Sequence, residues 1–337
     1  MLTARVPFRV SLFGGGSDHP EHFQEYGGAC LVGSIDRYCY VSVRTRPEGF
    51  ADRYRIRYSE VESVNSVEEI RHPAVRAALQ EYWLDIPLDL NHSTDLPSRS
   101  GMASSSAFAA SLVLTLNTLI GRDLSKRELA LETLRLEREV IQETVGFQDS
   151  VACTHGGLSL LEFGNGRDTE PEFRHVPSRY LSWLSSHLRL AYIPTGRISS
   201  DYAQEQVSLM SGHHDELEAL ATMARISSLE IDERRLDPKT LGSRLNEAWE
   251  IKRLQSPNIS TDAIDDFYST VRSCGIWGGK LLGAGGGGFF LMCGDEVSYS
   301  RVNQEFPELL LSGFSWDWRG ASLIDGSTDV LRLGRHE

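Results

Sequence analysis

The chain has 337 residues, of which 40% are hydrophobic and 24% charged, as in ordinary soluble globular proteins. This length predicts two domains, each large enough for its own hydrophobic core. The formal net charge of −13 argues against a nucleic-acid-binding surface, but it is compatible with a local basic site for an anionic small molecule.

The sequence also gives no indication of a membrane or extracellular protein. We find no apolar stretch of the roughly 20 residues that a membrane helix needs, and no secretory signal pattern. The five cysteines are scattered, and none forms a Cys-x-x-Cys pair. We therefore expect reduced thiols in a cytoplasmic protein, with no disulfide framework, zinc site, membrane partner or nucleic-acid partner.

The first glycine cluster follows a strand predicted over residues 4–10. Gly14, Gly15 and Gly16 are followed directly by Ser17 and Asp18. Glycine permits positive φ and a close approach of ligand to backbone, so residues 15–18 are candidates for ligand contact. A plain turn, in which Ser and Asp are common, is the alternative interpretation.

A second loop precedes the most apolar helix of the chain. Pro97 and Gly101 punctuate the loop, and Ser104, Ser105 and Ser106 open an Ala- and Leu-rich helix that we expect to be buried. A helix N-terminus offers unpaired N–H groups and partial positive charge, so residues 101–106 indicate a phosphate cradle. An ordinary loop with a serine cap on a core helix fits the same residues.

Further elements follow in chain order. A helix is predicted over residues 125–145, where Ser125 and Glu128 form a capping-box pattern, and strands are predicted at 158–163 and 188–193. Helical patterns dominate from residue 200 to about 268. We therefore place the domain boundary near residue 185, with domains at 1–184 and 185–337.

The third glycine cluster spans Gly283 to Gly288 and comes shortly after Lys280, one of only four lysines. Its Gly-x-Gly-x-x-Gly spacing matches a dinucleotide-binding fingerprint, which requires a strand before it and a helix after it. A strand is predicted after it instead, at 289–293, so a Rossmann site is excluded. No Walker loop or protein-kinase His-Arg-Asp signature occurs either.

Taken together and in order, these motifs resemble those of the GHMP kinases, the superfamily of galactokinase, homoserine kinase, mevalonate kinase and phosphomevalonate kinase. The first motif runs from Pro7 to Asp18, and the third from Lys280 to Gly288. The second motif and ATP phosphate loop comprises Pro97, Gly101, Met102, Ala103, Ser104, Ser105 and Ser106, with Met-Ala where Leu-Gly is usual.

The resemblance covers essentially the whole chain and implies an α+β fold with two domains. Residues 1–184 would form a ribosomal-protein-S5-like α+β domain that carries the ATP phosphate loop. Residues 185–337 would form a ferredoxin-like α/β sandwich that carries the glycine-rich loop. ATP and the acceptor would bind in the cleft between the two.

The resemblance also implies roles for single residues. Asp149, in Gly-Phe-Gln-Asp, would accept the proton of the acceptor hydroxyl, and Arg9 would stabilise the transferring phosphoryl group. Ser105 would coordinate Mg²⁺ together with Glu137, which lies twelve residues before Asp149. The nearby carboxylates of Glu139 and Glu143 fit this spacing less well.

Within the superfamily, Gly-Gly-Gly-Ser-Asp-x-Pro, Gly-Phe-Gln-Asp and Thr195-Gly-Arg-x-Ser-Ser200 resemble the D-glycero-D-manno-heptose 7-phosphate kinases. These enzymes phosphorylate the anomeric hydroxyl to give the 1,7-bisphosphate, an intermediate toward nucleotide-activated heptose. Asp18 would contact sugar hydroxyls, and Gly15, Gly16 and Ser17 would line the same site.

The phosphate of the sugar needs a basic pocket, for which Arg197, Lys280 and Arg99 are candidates, although each is equally compatible with plain surface charge. Residues 285–287, Gly285, Gly286 and Gly287, would border this site. The expected partners are ATP and a small-molecule sugar phosphate, and a homodimer is considered as the assembly. Alternatives are a kinase of a free or differently configured sugar, such as fucose, galactose or an antibiotic heptose, and a catalytically silent relative that senses sugar and ATP.

Overall fold

The computed structural model describes residues 1–47, 49–82, 84–97, 100–164, 171–176, 178–194 and 212–324, without the side chains of residues 178 and 179. The strands in this part of the chain are β1 (Leu2–Phe13), β2 (Gly28–Thr45), β3 (Tyr54–Arg57), β4 (Val61–Val64), β5 (Leu88–Thr94), β6 (Leu158–Phe163), β7 (Glu172–His175), β8 (Leu188–Ile193), β9 (Gly278–Leu281), β10 (Gly288–Cys293), β11 (Leu311–Ser312) and β12 (Ser322–Ile324). The helices are α1 (Pro20–Tyr26), α2 (Pro73–Glu81), α3 (Ser104–Leu119), α4 (Lys126–Arg135), α5 (Phe147–His155), α6 (Ser178–Ser185), α7 (His214–Asp232), α8 (Pro238–Leu254), α9 (Asp262–Ser273) and α10 (Glu296–Glu305), and a π-helical segment (Leu136–Ile141) follows α4.

The larger sheet is built around β2. Its strand order is β12-β1-β2-β5-β3-β4, and β6 pairs with β2 and with β7. The 18 residues of β2 let it pair with β6 along its first part, with β5 along its second part, and with β1 on its other edge. All pairs are antiparallel except β3 with β5. Because β12 pairs with β1, the last described strand returns to this first sheet.

The apolar helix α3 packs against β1 and β2 at the centre of the largest hydrophobic core. Its residues are buried on nearly all sides, and Leu112, Val113 and Leu116 are completely inaccessible to solvent. Each such side chain stabilises the fold by about 1.5–3 kcal/mol relative to an exposed one. This packing fixes the N-terminus of α3, at Ser104, beneath the loops described below.

The smaller sheet has the antiparallel order β11-β8-β10-β9. Helix α8 packs against β9 and β10, and the indole of Trp249 meets the ring of Phe290 edge-on at 5.6 Å between centroids. The last turn of α8 thereby lies beside the glycine-rich turn that joins β9 to β10.

The α+β fold class predicted from the sequence is confirmed. The strands predicted at 158–163 and 188–193 are β6 and β8, and Ser125 and Glu128 form the predicted capping box. The helix predicted over 125–145 is instead divided. It is α-helical to Arg135, π-helical to Ile141, and ends where Gln142 adopts a φ of 63°.

The domain boundary near residue 185 stays a prediction, although all four strands of the smaller sheet follow it in the chain. No helix in the described ranges is long and apolar enough to cross a membrane.

Candidate active site

Three glycine-rich segments, far apart in the sequence, meet where the end of β1 faces the turn between β9 and β10. The Lys280 ammonium on β9 donates to the carbonyl of Leu12, just before the first glycine cluster, at 3.1 Å. The backbone N–H of Phe289 donates to the carbonyl of Ser100, beside the second cluster, at 2.9 Å. The tertiary structure therefore unites the three motifs that the sequence presents separately.

The second and third motifs approach each other closely at Gly101 and Gly283, which have φ angles of 77° and 75°. A Cβ on Gly101 would lie 2.4 Å from the carbonyl oxygen of Leu282, and a Cβ on Gly283 would lie 2.5 Å from Gly101 Cα. Both positions therefore require glycine, for backbone conformation and for space. The second and third motifs are held backbone against backbone.

Arg9 and Asp149 form a two-pronged ion pair beside this contact. Nε and Nη2 of Arg9 donate to the two carboxylate oxygens of Asp149 at 2.7 and 2.9 Å, and Nη1 donates to the carbonyl of Gly101 at 2.6 Å. Burial alone would lower the pKa of the Arg9 guanidinium, but the Asp149 carboxylate and its hydrogen bonds raise it above its ordinary value. A charged, forked donor thus fixes an Asp carboxylate that is still partly open to solvent.

Asp18 joins the first motif to the helix that carries Asp149. Its side chain is completely buried and accepts hydrogen bonds from the backbone N–H of Gly16 (3.0 Å) and from the backbone and amide N–H groups of Gln148 (both 3.1 Å). Gly146 must be glycine, because a Cβ there would lie 2.0 Å from an Asp18 carboxylate oxygen. In this arrangement Asp18 orients the first turn of α5, and the predicted contact of Asp18 with sugar hydroxyls stays a prediction.

Ser17 also supports the turn from within. Its hydroxyl donates to the carbonyl of Gly14 at 2.8 Å and accepts from the N–H of Ala29 at 3.1 Å. Gly15 is more open than its neighbours, and an ideal Cβ there would lie 3.4 Å from Ser11 Oγ and 3.3 Å from Gln148 Nε2. Gly15 thus lies beside two polar side chains, one on β1 and one on α5.

Helix α3 begins without a side-chain cap. The residue before its first turn is Ala103, in the left-handed conformation at φ 60°, and this is the position at which the GHMP kinase motif that the sequence resembles usually has glycine. The serine-capped helix considered from the sequence is therefore not what forms. Because no side chain caps this end, the N-terminus of α3 remains compatible with the phosphate site that the sequence predicts.

Two carboxylates lie against this first turn, each on a different serine. Ser106 Oγ donates to Glu137 Oε1 at 2.8 Å, and Ser105 Oγ donates to Glu143 Oε2 at 2.5 Å. Glu137 is completely buried, and burial, together with the charges of Glu143 and Asp149, raises its pKa to about 8, although the Ser106 hydrogen bond lowers it. The Ser105 hydroxyl also acts to lower the pKa of Glu137. The Mg²⁺ role predicted for Ser105 and Glu137 stays a prediction, and Glu139 is exposed to solvent.

These residues fit a magnesium ion that is bound largely by nucleotide phosphates. The second oxygen of Glu137, Oε2, is buried and has no hydrogen-bond partner among the described residues. Mg²⁺ prefers hard oxygen ligands and is commonly held by one or two carboxylates plus phosphates and water. No cluster of three or more His, Cys, Asp or Glu side chains suited to a metal occurs in the part of the chain that the structure describes.

Two buried lysines lie beside the glycine-rich turn. Burial and the charge of Arg9 lower the pKa of Lys280 to about 8. Burial and the charges of Lys280 and Arg9 lower the pKa of Lys252 well below its ordinary value. Lys252, on α8, donates to the carbonyls of Leu281 and Gly283. The only feature of the sequence that distinguishes Lys252 is the rarity of lysine, and sequence analysis assigned it no role. Sequence analysis likewise assigned no role to the side chain of Gln148.

The remaining predicted residues are placed as follows. Pro97 is exposed at the entrance of the second loop, and Met102 is buried and accepts from the backbone N–H of Arg9 through its carbonyl. Gly286 donates its N–H to the carbonyl of Ile259 at 3.0 Å, and its neighbours at 285 and 287 also have positive φ. Arg99 and Arg197 lie outside the described residues, as does the Thr195–Ser200 motif.

Comparison with known proteins agrees with this geometry. Residues 68–157 match the model of the GHMP kinases N terminal domain. The chain is 25% identical over 314 residues to D-glycero-alpha-D-manno-heptose 7-phosphate kinase of Campylobacter jejuni, covering 88% of this chain and 90% of that one. It is 26% identical over 310 residues to the mevalonate kinase of Archaeoglobus fulgidus, covering 89% and 96%.

A solved structure of a D-glycero-D-manno-heptose 1-phosphate kinase from Bacteroides thetaiotaomicron superposes with a TM-score of 0.76. It is 18% identical and covers 97% of this chain and 99% of that one, so the likeness bears on the fold. The chain thus contains a match to the GHMP kinases N terminal domain, is similar over most of its length to heptose phosphate and mevalonate kinases, and is a phosphotransferase with a hydroxyl group as its acceptor.

Proposed function

We propose that this protein is an ATP- and Mg²⁺-dependent kinase of the anomeric hydroxyl of a sugar phosphate. The preferred acceptor would be D-glycero-D-manno-heptose 7-phosphate, and the product its 1,7-bisphosphate, for nucleotide-activated heptose synthesis. The main support for the proposal is the Arg9–Asp149 ion pair. It fixes the carboxylate of Asp149 beside the place where the three glycine motifs meet.

In the proposed reaction Asp149 accepts the proton of the acceptor hydroxyl as the oxygen attacks the terminal phosphoryl group. Arg9 orients that carboxylate with two donors and, with its positive charge, stabilises the charge of the transferring group. The uncapped first turn of α3 would hold the ATP phosphates. Phosphoryl transfer needs this positioning and charge neutralisation more than covalent chemistry.

Glu137 and Ser105 would hold Mg²⁺ in this proposal. The ion, when bound, neutralises phosphate charge. The unpartnered, buried Oε2 of Glu137 supports this role. Ser105 would have to exchange its hydrogen bond to Glu143 for the metal, which makes Glu143 a competitor for the same hydroxyl.

A polyol acceptor is favoured by the polar groups around Gly15. Ser11 Oγ and Gln148 Oε1 are both buried and have no hydrogen-bond partner among the described residues. Unsatisfied buried polar groups cost about 1–3 kcal/mol each, so a ligand that supplies hydroxyl groups here would gain binding energy. Lys280 donates to one carbonyl group among the described residues, which leaves further N–H donors for a ligand. It is therefore a candidate, together with Arg197 and Arg99, for binding the phosphate group of the sugar.

Mevalonate kinases are related at nearly the same identity, so mevalonate is the second acceptor to be considered. A free sugar such as fucose is the third. A silent sensor is disfavoured because Asp149 and Arg9 keep the arrangement that a base requires, which a sensor would not need.

The test is ADP release with heptose 7-phosphate, free heptose, fucose and mevalonate, with the new phosphate located by ³¹P NMR. We expect heptose 7-phosphate to have the highest kcat/KM and the new phosphate to be on the anomeric oxygen. Losing one charge-assisted phosphate contact costs about 1.5–3 kcal/mol, or roughly tenfold to a hundredfold in kcat/KM. Equal efficiency on free heptose would refute the sugar-phosphate part, and preference for mevalonate would replace the sugar altogether.

Lys280→Met and Arg197→Ala locate the phosphate pocket, and Lys239→Met, at an exposed lysine on α8, is the control. A variant that has lost a phosphate ligand should lose the preference for heptose 7-phosphate over heptose. If both variants keep that preference, the reaction stands but these two residues are not the phosphate pocket.

A further inference from the structure

We propose that Lys252 is a positioning residue for phosphoryl transfer. It holds the glycine-rich turn in place, and the turn keeps Arg9 and Asp149 aligned. The residue lies in the last turn of α8, and its side chain crosses the interior to reach the turn between β9 and β10. Within the described chain the Lys252 ammonium donates to backbone carbonyls and not to Asp149, so its effect must pass through the backbone.

The first step of this connection is the hold of Lys252 on the turn. Its ammonium donates to the carbonyl of Leu281 at 3.2 Å and to that of Gly283. The amino group of one side chain thus ties together the end of β9 and the first residue of the glycine-rich turn. Glycines place few restraints of their own on a turn, so the bonds from Lys252 act together with those of Gly286 to Ile259 and of Phe289 to Ser100 to fix its conformation.

The second step is the contact between the two loops. Gly283 lies directly against Gly101, with no room for a Cβ on either residue. A displacement of the turn would therefore move, or release, the loop that carries Gly101. The carbonyl of Gly101 accepts the third guanidinium donor of Arg9, and the other two donors hold Asp149. Lys252 is in this way linked to the catalytic carboxylate by packed backbone and three hydrogen-bonded contacts.

The cost of burying Lys252 supports a functional role. The residue is 8% exposed, and its ammonium forms no salt bridge with a carboxylate of the described chain. Lys280 and Arg9 lie near enough for their charges to lower its pKa further. Three buried basic groups therefore share a region in which Asp149 is paired with only one of them, Arg9. Such a cluster suits a site that receives phosphate groups, because an anion stabilises the protonated ammonium.

The proposal rests on nucleotide binding at these loops, which belongs to the proposed function. We would first measure MgADP binding to the wild-type enzyme by isothermal titration calorimetry at pH 8, in buffers of different ionisation enthalpy. No binding of MgADP would count against the nucleotide site itself. Binding with net proton uptake is expected, because phosphate raises the lowered pKa values of the buried lysines.

The decisive variants are Lys252→Met, which keeps the length but removes the charge and the donors, and Lys252→Arg, which keeps both. Lys239→Met on the same helix is the control, since that side chain is exposed. For folded Lys252→Met we expect kcat to fall at least about tenfold, with a smaller change in acceptor KM, because the alignment of the base is disturbed. Proton uptake on MgADP binding should also decrease. Lys252→Arg should recover most of the kcat, and Lys239→Met should match the wild type in both measurements.

A purely structural lysine would give another result. A lower melting temperature with kcat and proton uptake unchanged per folded molecule would overturn the proposal. If Lys252→Met cannot be obtained folded, Lys252→Arg carries the test. A folded Arg variant that retains turnover but takes up fewer protons on MgADP binding, because a guanidinium is already protonated at pH 8, supports the role of the donor, whereas one as inactive as Asp149→Asn refutes it.

Discussion

The contact between Gly101 and Gly283 can be tested by adding one methyl group. Gly101→Ala places a Cβ 2.4 Å from a backbone oxygen, at a φ of +77° that disfavours side chains. Gly121, just beyond the C-terminus of α3, supplies a matched control. Its φ is +76°, but nothing lies within 4 Å of the position that a Cβ would take there. The two substitutions therefore share the backbone penalty and differ in the steric clash.

The expected magnitudes follow from this difference. A left-handed conformation destabilises the folded state by about 1–2 kcal/mol when the residue has a Cβ. Replacing glycine by alanine also lowers the conformational entropy of the unfolded chain, which offsets about 0.4–1 kcal/mol of this destabilisation. Both variants carry this net cost. Gly101→Ala adds overpacking against rigid backbone, typically about 1–3 kcal/mol. The folded-to-unfolded ratio should thus be lower in Gly101→Ala than in Gly121→Ala by roughly fivefold to a hundredfold.

The measurements are the urea midpoint of unfolding and the turnover of the folded fraction. We expect Gly101→Ala to lower kcat by about a hundredfold, because its carbonyl fixes Arg9 and a shift of about 1 Å at a reacting group can cost this much. Gly121→Ala should keep nearly the wild-type kcat. Equal losses of stability and activity in the two variants would show that backbone conformation alone matters, and would refute the steric argument.

Three further predictions concern single residues. Asp149→Asn should lower kcat by roughly 10²–10⁴ while MgADP binding stays near normal in calorimetry, and retention of more than about half of the kcat would remove Asp149 from the mechanism. Because burial raises the pKa of Glu137 from 4.5 to about 8, the folded state binds more protons than the unfolded state between these values. The free energy of unfolding of the metal-free enzyme should therefore decrease as pH rises from about 4.5 to about 8. In urea titrations, Glu137→Gln should make this pH dependence weaker. The same pH dependence in the variant and the wild type would contradict a buried, protonated Glu137 carboxyl group. Ala103→Gly should stabilise the protein by up to about 1 kcal/mol, because it relieves the φ of 60°, and a lower urea midpoint would count against strain at this position.

The sequence by itself determined the features that depend on a few neighbouring residues. Short apolar runs predicted β6 and β8, and Ser125 with Glu128 predicted a capping box, because hydrophobic pattern and capping act over a few positions. The three glycine motifs likewise indicated the family, which the comparisons support. The fold class followed from that resemblance.

The tertiary structure alone decided which side chains meet. Sequence spacing could not show that Ser106 donates to Glu137 and Ser105 to Glu143, because these contacts join segments more than 30 positions apart in the chain. Nor could it show that Asp18 is buried and turned toward Gln148.

Lys252 illustrates the same limit over a longer range. Nothing near it in the chain marks it as different from an exposed helical lysine, and its burial arises only when α8 packs against β9. The contact between Gly101 and Gly283 joins residues about 180 positions apart in the chain. Such contacts depend on how two sheets and their helices pack, and local propensity carries no information about packing between distant segments, so only the folded chain fixes them.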